Sequence, residues 1–449
     1  MDHDHIIEPH TRTLHTRRNF LRTSMLGAAA TWTLPIFLER TFASLDAMAA
    51  DSAIQTVTGK DGPILVVLQL AGGNDGLNTV IPYADDIYHR ARPSLGIAPD
   101  RVLKINDHVG LNPKLAGFKS LYDEGHLALV QGVGYPNPNR SHFRSTEIWA
   151  TASDAERNDP YGWIGKYFDS CCAGADPTVG VSIGGETPQA FSSPTPTGVS
   201  FSRPEQYRWV NSKKADADQA FRELNQPDDA MMDGLGGQAN EGGSIGAIGG
   251  SIRSELSPLD FLQRTALDAQ LSSDKILEIS KKFQPAVPYP RGRLADSLSL
   301  VGRMIAGGLP TRVYYVSQGG YDTHSNQGGT HDRLMTELND AVSAFCADLK
   351  AQGAFDRVML MTFSEFGRRV VQNGSGGTDH GAAAPLFLLG GGIKAGVHGA
   401  HPRLDKLDAG DLIYNTDFRS VYASILEQWI KAPSDKILGR KFPTLPILG

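Results

Sequence analysis

A continuous apolar run, Ile64-Leu-Val-Val-Leu-Gln-Leu70, leads directly to Gly72-Gly73, and no other feature constrains this chain as strongly. β-Branched and aliphatic residues without polar alternation, too few for a helix, describe a strand buried on both faces, as in a parallel sheet. Comparable runs recur at Leu127-Ala-Leu-Val130, Val179-Gly-Val-Ser-Ile183, Val313-Tyr-Tyr-Val316, Val358-Met-Leu-Met361 and Pro385-Leu-Phe-Leu-Leu389. Helical patterns lie between them. In 332–351 the residues Leu334, Leu338, Val342, Phe345 and Leu349 form one apolar stripe. Stretches 112–124 and 417–430 read the same way, the latter with Thr416 as its expected N-cap. This alternation predicts an α/β fold, a mainly parallel sheet with helices on both faces. Ligands gather beyond the carboxyl ends of such strands, so the polar residues found there carry the functional argument.

Composition narrows the classes. With 40% hydrophobic and 20% charged residues, the 449-residue chain is globular. Its 43 Lys and Arg against 49 Asp and Glu give a net charge of −6, so no nucleic-acid partner is expected. Three cysteines, with Cys171 and Cys172 adjacent, exclude a disulfide framework and a Cys-type zinc site.

The first fifty residues read as an address. Thr16-Arg17-Arg18-Asn19-Phe20-Leu21-Arg22 precedes a weakly apolar stretch from Met25 to Leu38, then Ala47-Met48-Ala49. Adjacent arginines before Phe-Leu, a short apolar middle and a small-x-small end describe a twin-arginine signal over 1–50. The apolar stretch is broken by Thr31, Thr33 and Pro35 and falls short of the ~20 residues that span a bilayer. Thr41-Phe42-Ala43 offers a second cleavage site. The expected partner is the twin-arginine export machinery, and the expected location is periplasmic or extracellular, with no transmembrane segment in the mature chain. That route carries folded proteins, which suits a cofactor inserted beforehand. Residues 51–449 are expected to form the α/β domain. It carries a largely helical insertion at about 190–300, with a glycine-rich loop at 226–254 between helical stretches near 204–224 and 257–283.

Five expected strands border polar chemistry. Asn74-Asp75 follows the first, Arg140-Ser141-His142 the second, Asp322-Thr323-His324 the fourth and Ser364-Glu365 the fifth, while Asp379-His380 precedes the sixth. Carboxylate oxygens and imidazole nitrogens at one rim are the donor mix that suits zinc, manganese or iron. Ser141 opens a helix, where a hydroxyl either caps the helix or serves as a nucleophile. Asp75 also reads as a turn residue, and Glu365 as a salt-bridge partner of Arg368. His331 falls at an expected helix start and reads as solvent-exposed.

At these motifs the chain resembles the DUF1501 family, a group of exported bacterial proteins. The resemblance covers most of the mature sequence and rests on Leu68-Gln-Leu-Ala-Gly-Gly-Asn-Asp-Gly-Leu-Asn78, Arg140-Ser-His142, Gly320-Tyr-Asp-Thr-His324, Ser364-Glu-Phe-Gly-Arg368 and Thr378-Asp-His-Gly381. That family is in turn similar to the alkaline phosphatase superfamily. The resemblance implies an alkaline-phosphatase-like core with one or two divalent ions. Asp75, Asp322, His324, Glu365, Asp379 and His380 would be the metal ligands, and Ser141 the nucleophile. Arg140 or Arg368 would grip a non-bridging oxygen, and His142 would protonate the leaving group. Two departures stand out. Only one residue separates Asp322 from His324, and Ser364-Glu365 stands where an Asp-His pair is usual, unless Asp379-His380 is that pair displaced. No C/S-x-P-x-R setting surrounds Ser141 or Cys171, which argues against a formylglycine sulfatase. The expected function is an exported metal-dependent hydrolase of phosphate or related anionic esters, acting on a small molecule or polymer. The alternative is a non-catalytic metal-binding or envelope protein that keeps the fold. A metal-free serine hydrolase fits least, because the chain lacks Gly-x-Ser-x-Gly.

Overall fold

The computed structural model describes residues 62–172, 176–194, 198–206 and 272–449. The expected signal over 1–50 and the loop at 226–254 lie outside the described residues, as does most of the helical flanks. One sheet of nine strands forms the centre: β1 (Ile64–Ala71), β2 (Leu127–Gly134), β3 (Gly180–Ile183), β4 (Val199–Phe201), β5 (Val313–Gly319), β6 (Val358–Phe363), β7 (Ala384–Gly390), β8 (Gly396–His398) and β9 (Thr416–Asp417). Their order is β8-β2-β7-β6-β1-β5-β3-β4, with β9 also on β2. β1 pairs in parallel with β5 and β6. Only β7 is reversed, antiparallel to both β2 and β6. The sheet is therefore mainly parallel, as the apolar runs predict.

Among the described residues, the loops are positioned by helices that include α1 (Gly76–Thr79), α2 (Asp86–Ala91), α3 (Ala116–Asp123), α4 (His142–Thr151), α5 (Trp163–Cys171), α6 (Arg293–Ala306), α7 (Gln327–Ala351), α8 (Phe418–Ser424) and α9 (Ser434–Leu438). Strand β1 explains why both sheet faces are covered. Ile64, Val66, Leu68 and Leu70 enter one core with residues of α3, α6 and α7. Leu65 and Val67 enter a second core with residues of α4, α5, α8 and α9. Side chains alternate along a strand, so an unbroken apolar run needs a cover on each side. Each fully buried Leu or Val here contributes about 1.5–3 kcal/mol.

Some expectations shift. Helix α7 begins at Gln327, before the expected 332, and buries every residue of the stripe read from the sequence. Asp417, not Thr416, caps α8: its carboxylate accepts from the Arg419 N–H, because a carboxylate satisfies the orphan amide better than a more distant hydroxyl. Within 190–300, Val199–Phe201 is the edge strand β4, so that stretch is not uniformly helical. The described remainder is helical at 272–282 and in α6. Cys171 and Cys172 are bonded to each other.

Candidate metal centre

The reversal of β7 gathers the polar loops. Segments after β1, β2, β5 and β6 emerge at the carboxyl rim, and the segment before β7 arrives at the same rim because β7 runs the other way. The chain between β6 and β7 doubles back on itself. Arg368 and His380 form a bridge, and the Gly381 N–H donates to the Gly367 carbonyl at 2.8 Å. That return places Asp379 and His380 beside Asp322 and His324.

Three imidazoles meet around Asp322. Nε2 of His380 and Nε2 of His324 each lie 3.1 Å from Asp322 Oδ1, and Nε2 of His142 lies 3.4 Å from it. The Nε2 atoms of His324 and His380 are 2.9 Å apart. On the opposite side of each ring, Nδ1 has a fixed partner. For His142 it is Glu365 Oε1 at 2.8 Å, for His324 Asp379 Oδ1 at 3.2 Å, and for His380 the Arg140 carbonyl at 2.8 Å. A carbonyl or carboxylate oxygen only accepts, so each Nδ1 carries the proton and each Nε2 of a neutral ring offers a lone pair. Three lone pairs and a carboxylate oxygen converging this closely repel one another without a cation among them. Nε2 of His142 is buried and has no hydrogen-bond partner, so the donor set fits a divalent ion. His142, Asp322 and His380, whose ligand atoms all lie within 4.8 Å of one another, would hold it, with His324 Nε2 adjoining at 2.9 Å from His380 Nε2. Glu365, Asp379 and the Arg140 carbonyl would orient the rings, as outer partners of ligating histidines do.

Supporting contacts fix these groups. Glu365 is buried, its Oε1 also accepts the Gly72 N–H at 2.8 Å, and its carbonyl receives the Trp149 indole N–H from α4 at 2.9 Å. Gly72 has φ +117, and a Cβ there would come within 2.6 Å of the Asp322 nitrogen, so only glycine allows this approach. The Phe366 ring packs against His142 and His380 at 4.9 and 4.7 Å. Burial alone would raise the Asp322 pKa. The Arg368 guanidinium, hydrogen-bonded to it, outweighs this and brings the carboxyl to about 2, keeping it ionised.

The sequence-derived candidates separate into groups. Asp322, His324 and His380 come together, joined by His142, which the sequence reading gave a proton-transfer role. Glu365 and Asp379 stand one step behind, against imidazole rings. Asp75 is elsewhere: fully buried, its Oδ2 is bound by Arg92 and by the Gln327 amide. Burial would raise the Asp75 pKa, but the Arg92 guanidinium overrides this and lowers it. Arg140 directs its guanidinium to Asp411 at 2.5 Å. Arg368 is buried and donates to the carbonyls of Gly72, Gly73, Tyr321 and Thr378 as well as to Asp322. It thereby fastens loops together, and its partner is Asp322 instead of Glu365. Ser141 is exposed at the N-cap position of α4, and its side chain makes no cap hydrogen bond.

Arg92, Gln327 and His331 were not singled out from sequence as site neighbours. His331 was expected at the surface. It is buried instead, with Nε2 donating to Asn74 Oδ1 at 3.1 Å, because α7 starts earlier than its apolar stripe and turns this residue inward. An open cleft of about 530 Å³ adjoins the centre, lined in part by Gln69, His142, Phe143, Gln189, Asp322 and Glu365.

Fold and rim together define an α/β protein with an imidazole–carboxylate centre at the carboxyl edge of a mainly parallel sheet. A family model described as "Protein of unknown function (DUF1501)" matches residues 256–428, the part holding Asp322, His324, Glu365, Asp379 and His380. No curated protein matches the chain. Several solved structures are similar to it in fold. A PsFucS1 sulfatase from Pseudoalteromonas sp. has 12% identity and a TM-score of 0.33, over 91% of this chain and 72% of the other. The lipoteichoic acid synthase LtaP from Listeria monocytogenes has 10% identity and a TM-score of 0.32, over 89% and 77%. The C-terminal periplasmic domain of EcEptC from Escherichia coli has 10% identity and a TM-score of 0.31, over 76% and 77%. Among the described residues, no helix is long and apolar enough to cross a membrane.

Proposed function

We propose that this chain is a metal-dependent hydrolase of phosphate or related anionic esters, exported through the twin-arginine route by residues 1–50 to the periplasm or cell exterior. One observation carries the reading: three imidazoles, each with Nδ1 tied to an acceptor, turn their Nε2 atoms toward one carboxylate oxygen. A divalent ion there (zinc, manganese or iron) would supply Lewis acidity toward the oxygens of an ester. The chain's own residues do the rest. His142, half-buried beside the cleft, keeps its Nε2 lone pair toward Asp322 because Glu365 holds the proton on the other nitrogen. Arg368 offsets the Asp322 charge from below and keeps the loops closed. Ser141, with no capping bond to occupy its hydroxyl, is the proposed nucleophile one residue before His142.

Elemental mass spectrometry of the exported protein, purified without chelator, tests this first. About one equivalent of metal, lost in the Asp322→Ala/His324→Ala variant, and chelator-sensitive turnover of an anionic ester are expected. A metal-free wild type sinks the mechanism. Ser141→Ala should reduce turnover at least about hundredfold, and undiminished turnover assigns the attack to water.

The second reading is a non-catalytic binding protein with a single ion. The Asp75–Arg92 pair favours it, because Arg92 takes the carboxylate that a second metal would need. Metal bound at one equivalent without turnover of any phosphate or sulfate ester would support it.

A further inference from the structure

We propose that the substrate of this centre is an ester carrying a single negative charge, with a ring whose face rests on Phe143, and not a dianionic phosphomonoester. The inference rests on the metal-centre reading above and adds the substrate class. Two independent features point to it.

The first is charge. An imidazole that holds a cation through Nε2 is a neutral ligand, so in the metal-loaded centre only the carboxylates, the guanidiniums and the ion count. Around the centre these are the carboxylates of Asp322, Glu365, Asp379 and Asp411 and the guanidiniums of Arg368, Arg140 and Arg369. A divalent ion added to that set leaves one positive charge in excess. A monoanion balances it, whereas a dianion overshoots. The guanidiniums are also committed elsewhere. Arg140 is held on Asp411, Arg369 lies 3.5 Å from the same carboxylate, and Arg368 is buried under five bonds. No lysine or arginine is among the described residues lining the cleft, and its Glu147 is answered by Arg144 at 2.7 Å. A second anionic oxygen would thus meet no lysine or arginine among the described residues that line the cleft.

The second is an aromatic platform. Phe143 follows His142 on α4 and is 91% exposed, the most exposed large apolar side chain among the described residues. It lines the same cleft as His142 and Asp322. The cleft also presents the amides of Gln69 and Gln189, and Gln69 Oε1 is fixed by the Tyr315 hydroxyl at 2.8 Å. An exposed ring flanked by amides is suited to a flat cyclic group with polar edges.

Phenylphosphonate and its monomethyl ester separate these elements. Both carry the same ring on a phosphorus–carbon bond, but in mildly alkaline buffer the first is a dianion and the second a monoanion. Titration calorimetry on the zinc-loaded protein should show the monoester binding at least about tenfold more tightly. Phe143→Ala should weaken that binding roughly two- to tenfold and leave monomethyl methylphosphonate, which has no ring, unchanged. Equal or tighter binding of the dianion overturns the charge assignment while leaving the metal centre standing. Unchanged phenyl binding in Phe143→Ala overturns the platform. A wild type that takes up no zinc, or binds these ligands equally well without it, overturns both this inference and the reading beneath it.

Discussion

Asp75 and His331 carry opposite lessons about polar residues at a strand end. Asp75 lies where a ligand is expected, yet its charge is spent on Arg92, and both side chains are wholly buried. Removing one member of a buried pair strands the other. Asp75→Ala should therefore lower unfolding free energy by about 3–5 kcal/mol in denaturant titration and leave metal stoichiometry intact. Loss of the ion in this variant would return Asp75 to the ligand set. His331 was read as exposed, and burial lowers its pKa below the ordinary histidine value. Below about pH 6.5 the unfolded chain takes up a proton that the folded one refuses, so stability falls as pH drops through that range. The fall should be shallower in His331→Gln, by up to one proton's worth, and melting curves from pH 7 to 5 would show it. An identical slope in both proteins would mean that His331 is protonated in the fold. Neither fate was legible beforehand, because partners such as Arg92 and Asn74 are brought in by tertiary packing and leave no mark on local spacing.

At the level of elements, strands were the most legible part. Runs such as Ile64–Leu70 need two apolar covers and admit few other structures. What local pattern could not reveal was strand direction. Pro385–Leu389 reads the same whether β7 runs up or down, and only pairing with β2 and β6 settles it. That direction decides whether Asp379 and His380 reach the rim. The lead-in to β7 is held close to its neighbour: a Cβ at Gly377 would come within 2.3 Å of the His324 backbone. Gly377→Ala should push the His324 and His380 segments apart. Metal affinity should then fall roughly 10–100-fold, the range for disturbed outer support, with the far-ultraviolet circular dichroism spectrum retained. Unaltered affinity would show that the loops yield without cost. Helix boundaries were less legible because Gln327–His331, the start of α7, has no apolar stripe and is fixed by the Gln327 contacts to Asp75, Thr323 and Thr378.

For the whole molecule, a bound ion stabilises the folded state by mass action. Free metal at about a thousandfold above its dissociation constant is worth about 4 kcal/mol. The melting temperature should rise with added zinc and fall with chelator, and Asp322→Ala/His324→Ala should respond to neither. A response in that variant would locate the ion elsewhere. The α/β class was legible from alternation alone, and so was the position of Asp322, His324 and His380 at the strand-end rim. His142 was named for different work, since a side chain's outward nitrogen depends on which acceptor lies behind it. The centre is also assembled from remote stretches of chain: His142 and Glu365 are 223 residues apart, Arg140 and His380 are 240 apart. No nascent fragment ending before His380 holds the full donor set, and loop closure over such distances is slow. Capture of the proposed ion would then be the last event of maturation, a seal that only a finished molecule accepts, and a metal-loaded chain would by that fact be a correctly folded one.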